Sequence, residues 1–272
     1  MLRCGKFELS LDRPLIMGIV NVTADSFSGD GLASSSRAVA HALSQIAAGA
    51  QILDLGAESS RPGAIPTSLD EELSRLLPVL EALRDCGIPL SVDTYKPEVM
   101  RAAIAGGAAM INDIYALRMP GALNVVADSD CAVCLMHMQG APLTMQQSPF
   151  YDNAVAEVRD FLSERVLAAT AAGIALGRLV LDPGFGFGKT LQHNLQLLRH
   201  LSEIEFDGLP LLAGLSRKSM LGTITSQSVA NCLPASIAAA LLAAQRGARI
   251  LRVHDVAATR DALAVWQALE NA

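Results

Sequence analysis

The residues 181–190, Leu-Asp-Pro-Gly-Phe-Gly-Phe-Gly-Lys-Thr, combine a carboxylate, a Gly-rich turn and a lysine within one short stretch. An apolar run ends in Asp182, the turn follows, and a helical pattern begins after it. This pattern predicts a buried strand that delivers Asp182 into a shaped loop. The alternative is a plain strand-to-helix turn with Asp182 as a cap. The Gly-Lys-Thr resembles a phosphate-binding P-loop, but that motif needs Gly where Pro183 stands, so we exclude a nucleotide triphosphate site.

Polar or charged residues also follow the other short apolar runs of the chain. In order they are Asn21; Asp54; Asp93; Asn112 and Asp113; His137; Asp182; Ser216, Arg217 and Lys218; and Arg252, His254 and Asp255. A single polar strand end needs no functional explanation, because every strand must turn polar somewhere. Eight of them, with carboxylates, amides and cations together, predict a polar ligand.

Four of these side chains could hold a flat heterocycle by its edge: Asp93, Asn112, Asp182 and Lys218. A carboxylate accepts two N–H bonds from an aminopyrimidinone edge, an Asn offers a donor and an acceptor, and a Lys donates. Hydrogen bonds to charged groups contribute about 1.5–3 kcal/mol each. An analogue without the amino group would leave a buried carboxylate unpaired, so this set would reject it.

An outer set consists of Asn21, Ser60, Arg61, Arg252 and His254. Arg and His suit phosphate oxygens, and Arg can bind them through two parallel bonds. The amide oxygen of Asn21 suits a Mg²⁺ ion that keeps most of its waters and bridges to phosphate. Arg61 could instead be a surface cation, and His254 a satisfied buried histidine. We find no Ser/His/Asp or Cys/His nucleophile arrangement and no zinc-like ligand spacing.

Composition narrows the classes of protein further. The chain has 272 residues, of which 51% are apolar and only 4% aromatic, which favours helices packed on a buried parallel sheet. The net charge is -6 without a Lys/Arg block, so neither nucleic acid nor an anionic membrane is an expected partner.

The cysteines and the apolar stretches predict the cellular compartment of the protein. Five Cys at irregular positions predict a reducing cytoplasm rather than a disulfide framework. Cys131 and Cys134 have redox or metal spacing, but they lie in a predicted strand, so we expect them to be buried and structural. No apolar region precedes Cys4 to form a secretory signal, and Leu233–Ala244 is shorter than the roughly 20 residues that span a bilayer.

Short apolar runs alternate with longer amphipathic ones, and these elements must position the polar residues. Strands are predicted at Leu15–Val20, Gln51–Leu55, Pro89–Val92, Ala109–Ile111, Ala132–Met136, Leu179–Leu181, Leu211–Gly214 and Ile250–Val253. Helices are predicted at Arg37–Ala48, Leu69–Leu83, Pro97–Ala105, Gly121–Ala127, Ala154–Ala172, Leu191–Leu201, Leu233–Arg246 and Ala257–Leu269.

Eight such units without a linker predict a single-domain (β/α)₈ TIM barrel over residues 1–272. A doubly wound open sheet is the competing architecture. In a barrel, the polar residues after the strands share the C-terminal rim, where chemistry takes place. Two rim loops, Thr23–Ser36 and Ser59–Ser68, are expected to be mobile and to close over substrate.

Nine collinear motifs carry a family resemblance. They are Met17-Gly-Ile-Val-Asn-Val-Thr, Asp25-Ser-Phe-Ser, Glu58-Ser-Ser-Arg-Pro-Gly, Ser91-Val-Asp-Thr, Ile111-Asn-Asp, Leu135-Met-His-Met-Gln-Gly, Asp182-Pro-Gly-Phe-Gly-Phe-Gly-Lys, Ser216-Arg-Lys-Ser and Arg252-Val-His-Asp. Together they resemble the dihydropteroate synthases. The resemblance implies a TIM-barrel enzyme that joins 4-aminobenzoate to 6-hydroxymethyl-7,8-dihydropterin diphosphate in folate biosynthesis. It also implies assistance by Mg²⁺, a homodimer and competition by sulfonamides.

The resemblance assigns roles to individual residues. The pterin would contact Asp93, Asn112, Met136, Asp182, Gly214 and Lys218. Arg252 would stack on the pterin and, with His254, meet the diphosphate, and Asn21 would face Mg²⁺. The aminobenzoate side would comprise Ser60, Arg61, Pro62, Phe187 and Ser219. The catalytic residues implied are Arg61, Asp93, Lys218 and Asp30. The implied reaction is SN1-like and requires no protein nucleophile.

Three departures from the family pattern leave alternatives open. This chain has Ala24 where the family has Pro, Gly29-Asp30 where it has Asp-Gly, and Ser60 where it has Thr. A pterin-binding homologue with weak or lost synthase activity is therefore one alternative. Another is a pterin-dependent methyltransferase on the same barrel, which would not need the Ser216-Arg-Lys-Ser and Arg252-Val-His residues.

Overall fold

The computed structural model describes residues 1–22, 31–61 and 63–272. Eight parallel strands close into a barrel. They are β3 (Leu15–Asn21), β4 (Ile52–Gly56), β5 (Leu90–Asp93), β6 (Met110–Asp113), β7 (Ala132–Met136), β8 (Leu179–Asp182), β9 (Leu211–Ala213) and β10 (Ala248–Val253). Each pairs with the next in chain order, and β10 closes the barrel on β3. The predicted TIM barrel is thus confirmed, and the open sheet is excluded because β10 pairs with β3 in parallel.

Helices surround the barrel between successive strands. In the described residues they are α1 (Gly31–Ala48), α2 (Leu69–Leu83), α3 (Pro97–Ala105), α4 (Ala122–Ala127), α5 (Ala154–Ala171), α6 (Leu191–Arg199), α7 (Ser219–Thr225), α8 (Leu233–Gln245) and α9 (Val256–Glu270). Local chemistry sets several helix starts. The hydroxyl of Ser68 accepts from Glu71 N and caps α2, Thr190 caps α6, and Pro97 opens α3.

A short hairpin, β1 (Leu2–Cys4) and β2 (Phe7–Leu9), closes the barrel at the N-terminal ends of the strands. Its residues Leu2 and Cys4 pack with Met17, Ile52 and other side chains inside the barrel. The larger core cluster lies between the strands and the helices. The hairpin was not predicted, because its strands are only three residues long and carry little periodicity.

Other differences from the predicted elements have physical causes. Helix α1 begins at Gly31 rather than Arg37, so part of the predicted loop Thr23–Ser36 is helical. Its first turns, rich in Ser, have weak helix propensity, and the helix is stabilised by the packing of Ala38 and Ala42. Helix α7 was also missed because its seven residues are too few to show a period.

The thiols of Cys131 and Cys134 are buried, as predicted, and all five cysteines, which lie within the described ranges, are free. Cys131 Sγ lies 3.0 Å from Ser129 Oγ. Desolvation raises the pKa of both thiols above the usual value, so neither is a reactive thiolate. Within the described residues, no helix is long and apolar enough to cross a membrane.

Candidate active site

Strand alternation points the polar residues of the rim into the barrel. In β4, Ile52 packs inside the barrel while Leu53 and Leu55 pack against the helices, so Asp54 faces inward. The same alternation turns six more residues inward, each after an inward position of its own strand: Asp93, Asn112, Met136, Asp182, Gly214 and Arg252. These residues therefore meet at one end of the barrel.

An ion-pair network built around Arg252 connects four strands. Its Nε donates to Asp54 Oδ2 at 2.6 Å, and its Nη2 donates to Asp93 Oδ2 at 2.8 Å. Asp54 is fully buried and also accepts from Ser91 Oγ at 2.6 Å and Asn112 Nδ2 at 3.1 Å. Asp54 is thus the common acceptor that holds Arg252 and Asn112 in place.

A polar cleft lies above this network. Its lining brings together nine of the predicted substrate-binding residues: Ser60, Asp93, Asn112, Met136, Asp182, Phe187, Gly214, Lys218 and Arg252. Arg61 is exposed on the loop beside it, and His254 lies half-buried after β10. Ser219 is the first residue of α7, directly after Lys218. The positions fit the roles assigned from the sequence, and the roles themselves stay predictions.

Other predictions fall on residues outside the described ranges. They are the catalytic role of Asp30, the contact of Pro62 with aminobenzoate and the effects of Ala24 and Gly29.

Burial shifts the ionisation of the groups in the cleft. Desolvation raises the pKa of the Asp93 carboxyl, which Arg252 partly offsets. Desolvation also raises the pKa of Asp182, against the hydrogen bond that Gly184 N donates to its Oδ1 at 2.7 Å. Burial, with Arg252 nearby, lowers the pKa of Lys218 to about 8. These groups keep unusual pKa values because each is held in a desolvated cluster of mixed charge.

The Gly-rich stretch after β8 is a shaped loop, as predicted. Gly184 has a φ of +69°, and a Cβ added there would lie 1.9 Å from the carbonyl oxygen of His137. Gly188 has a φ of +60°, and its Cβ would lie 2.4 Å from the Gln139 carbonyl oxygen. Only glycine fits such close backbone approaches at positive φ. The loop therefore packs tightly against the segment that follows β7.

Lys189 holds this loop from inside. Its side chain is almost fully buried, and Nζ donates to Gly184 O and Phe187 O, each at 3.0 Å. Nζ also lies 2.9 Å from His137 Nδ1. Burial and the neighbouring Lys189 lower the pKa of His137 to about 2, so the ring is neutral and Nδ1 can accept. The lysine that suggested a P-loop thus binds the protein's own carbonyls.

The loop positions Phe187 against a predicted pterin-binding residue. Lys218 Nζ lies 4.3 Å from the centroid of the Phe187 ring, within the range of a cation–π contact. Phe187 packs with Ile114, Met136 and Met138 at the wall of the cleft. An aromatic ring beside an ammonium group, with polar side chains at the bottom of the cleft, can hold a flat ligand that has polar edges.

A cationic patch surrounds His254. Ser216 Oγ accepts from His254 N at 3.2 Å and lies 3.1 Å from its Nδ1. Burial, Arg217 and Arg252 lower the pKa of His254 to about 4. Arg217, at a φ of +56°, forms a two-bond pair with Asp255 at 2.7 and 3.1 Å. Burial and the neighbouring arginines thus keep His254 neutral, and the guanidinium groups beside it are the candidate anion-binding groups on this side of the rim.

The described residues hold no group of three or more His, Cys, Asp and Glu that could bind a metal ion. Asn21 ends β3 at the rim, is exposed, and pairs with Gly56 of β4. Its single amide oxygen fits a hydrated Mg²⁺ whose other ligands are waters and phosphate oxygens.

Two residues of structural importance to the site were not among the predicted site residues. Asp54 was noted only as a polar strand end, and Lys189 only as part of a rejected motif. In both cases the signal was a charged residue next to a buried strand or loop, but the partners lie far away in sequence: Arg252 is 198 residues from Asp54.

The chain is similar to proteins of a known family. The pterin binding enzyme family matches residues 17–254. The chain is 50% identical to the dihydropteroate synthase of Neisseria meningitidis serogroup C, over 98% of this chain and 96% of that protein.

Two solved structures share the fold. Dihydropteroate synthase of Burkholderia cenocepacia, complexed with 7,8-dihydropteroate, superposes with a TM-score of 0.92 at 51% identity, covering 99% of this chain and 96% of that one. The Xanthomonas albilineans enzyme with 4-aminobenzoic acid has a TM-score of 0.91 at 56% identity, covering 97% and 96%.

Proposed function

The chain belongs to the dihydropteroate synthase family of pterin binding enzymes, and from this membership we infer its reaction. It condenses 6-hydroxymethyl-7,8-dihydropterin diphosphate with 4-aminobenzoate to give 7,8-dihydropteroate and diphosphate, a step of folate biosynthesis. The observation that carries this conclusion is the convergence of Asp93, Asn112, Asp182 and Lys218 on one cleft of a barrel whose relatives have this name.

The pterin edge suits the deep part of the cleft. One oxygen of Asp182 already accepts from Gly184 N, which fixes the carboxylate and directs its second oxygen to ligand N–H groups. Asn112 is oriented by its bond to Asp54, so its amide oxygen is available as an acceptor. Lys218 can donate to the ring from the wall that Phe187 forms. A pre-oriented set of this kind loses little entropy when ligand binds.

The diphosphate suits the cationic side of the rim. Arg252, His254 and Arg61 lie there, and both arginines contribute to lowering the pKa of His254. In the proposed reaction the bond from the pterin methylene to the diphosphate oxygen breaks, and the electron pair leaves with diphosphate. The guanidinium groups of Arg252 and Arg61 stabilise that developing negative charge.

The methylene cation that remains is delocalised into the pterin ring. The amino nitrogen of 4-aminobenzoate then supplies its lone pair to form the new C–N bond and loses a proton. No protein nucleophile is needed for this step. Exclusion of water matters because water would capture the same cation.

We propose that Mg²⁺ binds with the diphosphate. Asn21 would supply a protein oxygen, and the remaining ligands would be water and phosphate. When bound, the ion would neutralise charge on the departing diphosphate.

Two further proposals concern the state of the protein in the cell. We propose a homodimer formed by α8 and α9, because Leu242, Val265 and Leu269 expose apolar side chains there; the molar mass in solution tests this. We also propose a cytoplasmic location, since the cysteines are free in the structure and the reducing cytosol maintains thiols.

A pterin-binding homologue with lost activity remains the second candidate, because Gly29-Asp30 and Ala24 depart from the family pattern. Product analysis separates the two functions. The purified protein, incubated with both substrates and Mg²⁺, should form 7,8-dihydropteroate detectable by mass spectrometry. Pterin binding without product would favour the second candidate.

A further inference from the structure

The two ends of the rim loop that carries Ser60 and Arg61 are joined by a single ammonium group. Lys96 Nζ contacts a carboxylate oxygen of Glu58 at the start of the loop and donates to Thr67 O, at its end, at 2.6 Å. The same Nζ donates to Glu72 Oε2, in the first turn of α2, at 2.5 Å. All three hydrogens of the ammonium therefore have acceptors.

The carboxylates of this network are fully engaged as well. Glu58 Oε1 accepts from Tyr95 OH at 2.8 Å, and its Oε2 accepts from Thr67 N at 3.1 Å. Glu72 Oε1 accepts from Thr94 Oγ1 at 2.7 Å. The side chains of Lys96, Glu58 and Glu72 are only 16%, 10% and 2% exposed. Buried charges with complete hydrogen bonding hold one geometry, and removing a partner is costly.

This network continues directly from the proposed pterin site. Thr94, Tyr95 and Lys96 are the three residues that follow Asp93, and each of them bonds to Glu58 or Glu72. The Tyr95 ring packs on Tyr115 at 4.9 Å between centroids, next to the cluster of Met136 and Phe187. The chain segment at the end of β5 thus supports the base of the loop while its first residue lines the cleft.

Part of the loop whose two ends Lys96 joins, here called the clamped loop (residues 58–67), borders the cleft. Ser60 lines the cleft, and Arg61 O accepts from Ala64 N at 3.0 Å. Gly63 N donates to Pro142 O at 3.0 Å, which ties the loop to the segment after β7. Neither Lys96 nor Glu58 lines the cleft. Any influence of these two residues on substrate is therefore indirect, and the loop they hold is the part of their network that carries Ser60 and Arg61.

We propose that Lys96 and Glu58 are positioning residues for the 4-aminobenzoate half of the site. They fix the base of the 58–67 loop so that Ser60 and Arg61 meet the aminobenzoate once the pterin is seated. The proposal rests on the proposed synthase function. It predicts that loss of the contact between Lys96 and Glu58, here called the clamp, weakens binding of 4-aminobenzoate more than binding of the pterin.

The test compares Lys96→Met and Glu58→Gln with the wild-type protein. The matched control is Glu203→Gln, which replaces an exposed carboxylate that contacts His200 between α6 and β9. For each variant the KM for 4-aminobenzoate, kcat, pterin affinity by calorimetry and Tm are measured. Calorimetric binding of 4-aminobenzoate to the pterin-saturated protein gives a readout that does not require turnover.

Both clamp variants should raise the KM or Kd for 4-aminobenzoate by about tenfold to a hundredfold, because small displacements of positioning groups have effects of this size. Pterin affinity should change by less than about twofold, which corresponds to under half a kcal/mol. Lys96→Arg retains the charge and several donors and should recover most of the 4-aminobenzoate affinity. The control should match the wild type.

Equal losses of pterin and 4-aminobenzoate affinity would overturn the positioning role, as would an unchanged 4-aminobenzoate affinity in folded variants. If Lys96→Met does not fold, the isosteric Glu58→Gln decides the matter. An inactive wild-type protein would count against the synthase function. The pterin and 4-aminobenzoate affinities of the Lys96 and Glu58 variants, measured by calorimetry, would still test the positioning role.

Discussion

Arg252 Nη2 donates to Asp93 Oδ2 at 2.8 Å, so one guanidinium contacts a carboxylate of the proposed pterin site while it faces the proposed diphosphate site. Its Nε is held by the fully buried Asp54 at 2.6 Å. The attraction of Asp54 and Asp93 outweighs the effect of burial and raises the pKa of Arg252 above its usual value. The proposed pterin site and the proposed diphosphate site thus share one ion-pair network.

Removing Arg252 should affect both stability and substrate choice. Arg252→Ala leaves the buried Asp54 without its cation, and loss of one partner of a buried pair costs about 3–5 kcal/mol. Urea unfolding measures this cost. Adding Asp54→Asn should restore part of the lost stability, because the uncompensated charge is removed. No recovery in the double variant would show that Asp54 is not the group left unpaired.

Arg252→Ala should also weaken binding of the pterin diphosphate more than binding of free pterin. The reason is that the diphosphate alone brings negative charge to this side of the rim. Calorimetry with both ligands checks the difference. Equal losses would contradict a role for Arg252 at the diphosphate.

Asp182→Ala should abolish measurable pterin binding. The substitution removes a carboxylate acceptor of the pterin edge, and hydrogen bonds to charged groups contribute about 1.5–3 kcal/mol each. It also removes the Oδ1 acceptor of Gly184 N, so Asp182→Asn is the better shape control. An unchanged affinity in calorimetry would mean that the pterin pocket lies elsewhere.

His137 should make stability dependent on pH below neutrality. Burial and Lys189 lower its pKa from 6.5 to about 2, so the folded state binds fewer protons than the unfolded state between these values. The stabilising contribution is therefore complete above pH 6.5 and decreases as the pH falls. From pH 6.5 to pH 5 the loss should be about 2 kcal/mol.

The free energy of unfolding at several pH values, compared between the wild type and His137→Asn, measures this contribution. His254, with its pKa lowered to about 4, titrates in the same direction and is common to both proteins. Parallel pH profiles for the two proteins would contradict a buried neutral His137.

Gly184 should tolerate no side chain. A Cβ there would lie 1.9 Å from His137 O at a φ of +69°, so Gly184→Ala adds a backbone clash to an unfavourable conformation. The matched control is Gly173→Ala, at a φ of +94° with nothing within 4 Å of the added Cβ. The control should lose about 1–2 kcal/mol, and Gly184→Ala about 3 kcal/mol or more beyond that. Equal losses by urea unfolding would show that the loop adapts.

The barrel fold and the residues at its rim were predictable from one sequence pattern. Each strand is a short apolar run with a polar residue at its C-terminal end, and parallel strands in a closed barrel bring those ends together. Asp93, Asn112 and Asp182 could therefore be assigned to one site before their distances were known. The inward direction follows from strand alternation, which places Ile52 and Asp54 on the same side.

Partners across the barrel were not predictable in this way. The pairing of Asp54 with Arg252 depends on the closing register between β10, β3 and β4, which no local pattern contains. The Lys189 contacts depend on how the Gly-rich loop folds over His137. The clamp at Lys96 likewise joins residues from three separate segments. Tertiary contacts decide these details, and local propensity decides only the elements.

The most direct measurement of the central claim is the initial rate of diphosphate release from 6-hydroxymethyl-7,8-dihydropterin diphosphate with Mg²⁺, with and without 4-aminobenzoate. The account predicts release that depends on 4-aminobenzoate and matches the formation of 7,8-dihydropteroate mole for mole. Tight pterin binding without any release would contradict synthase activity and would direct attention to the Ala24 and Gly29-Asp30 departures in the first rim loop.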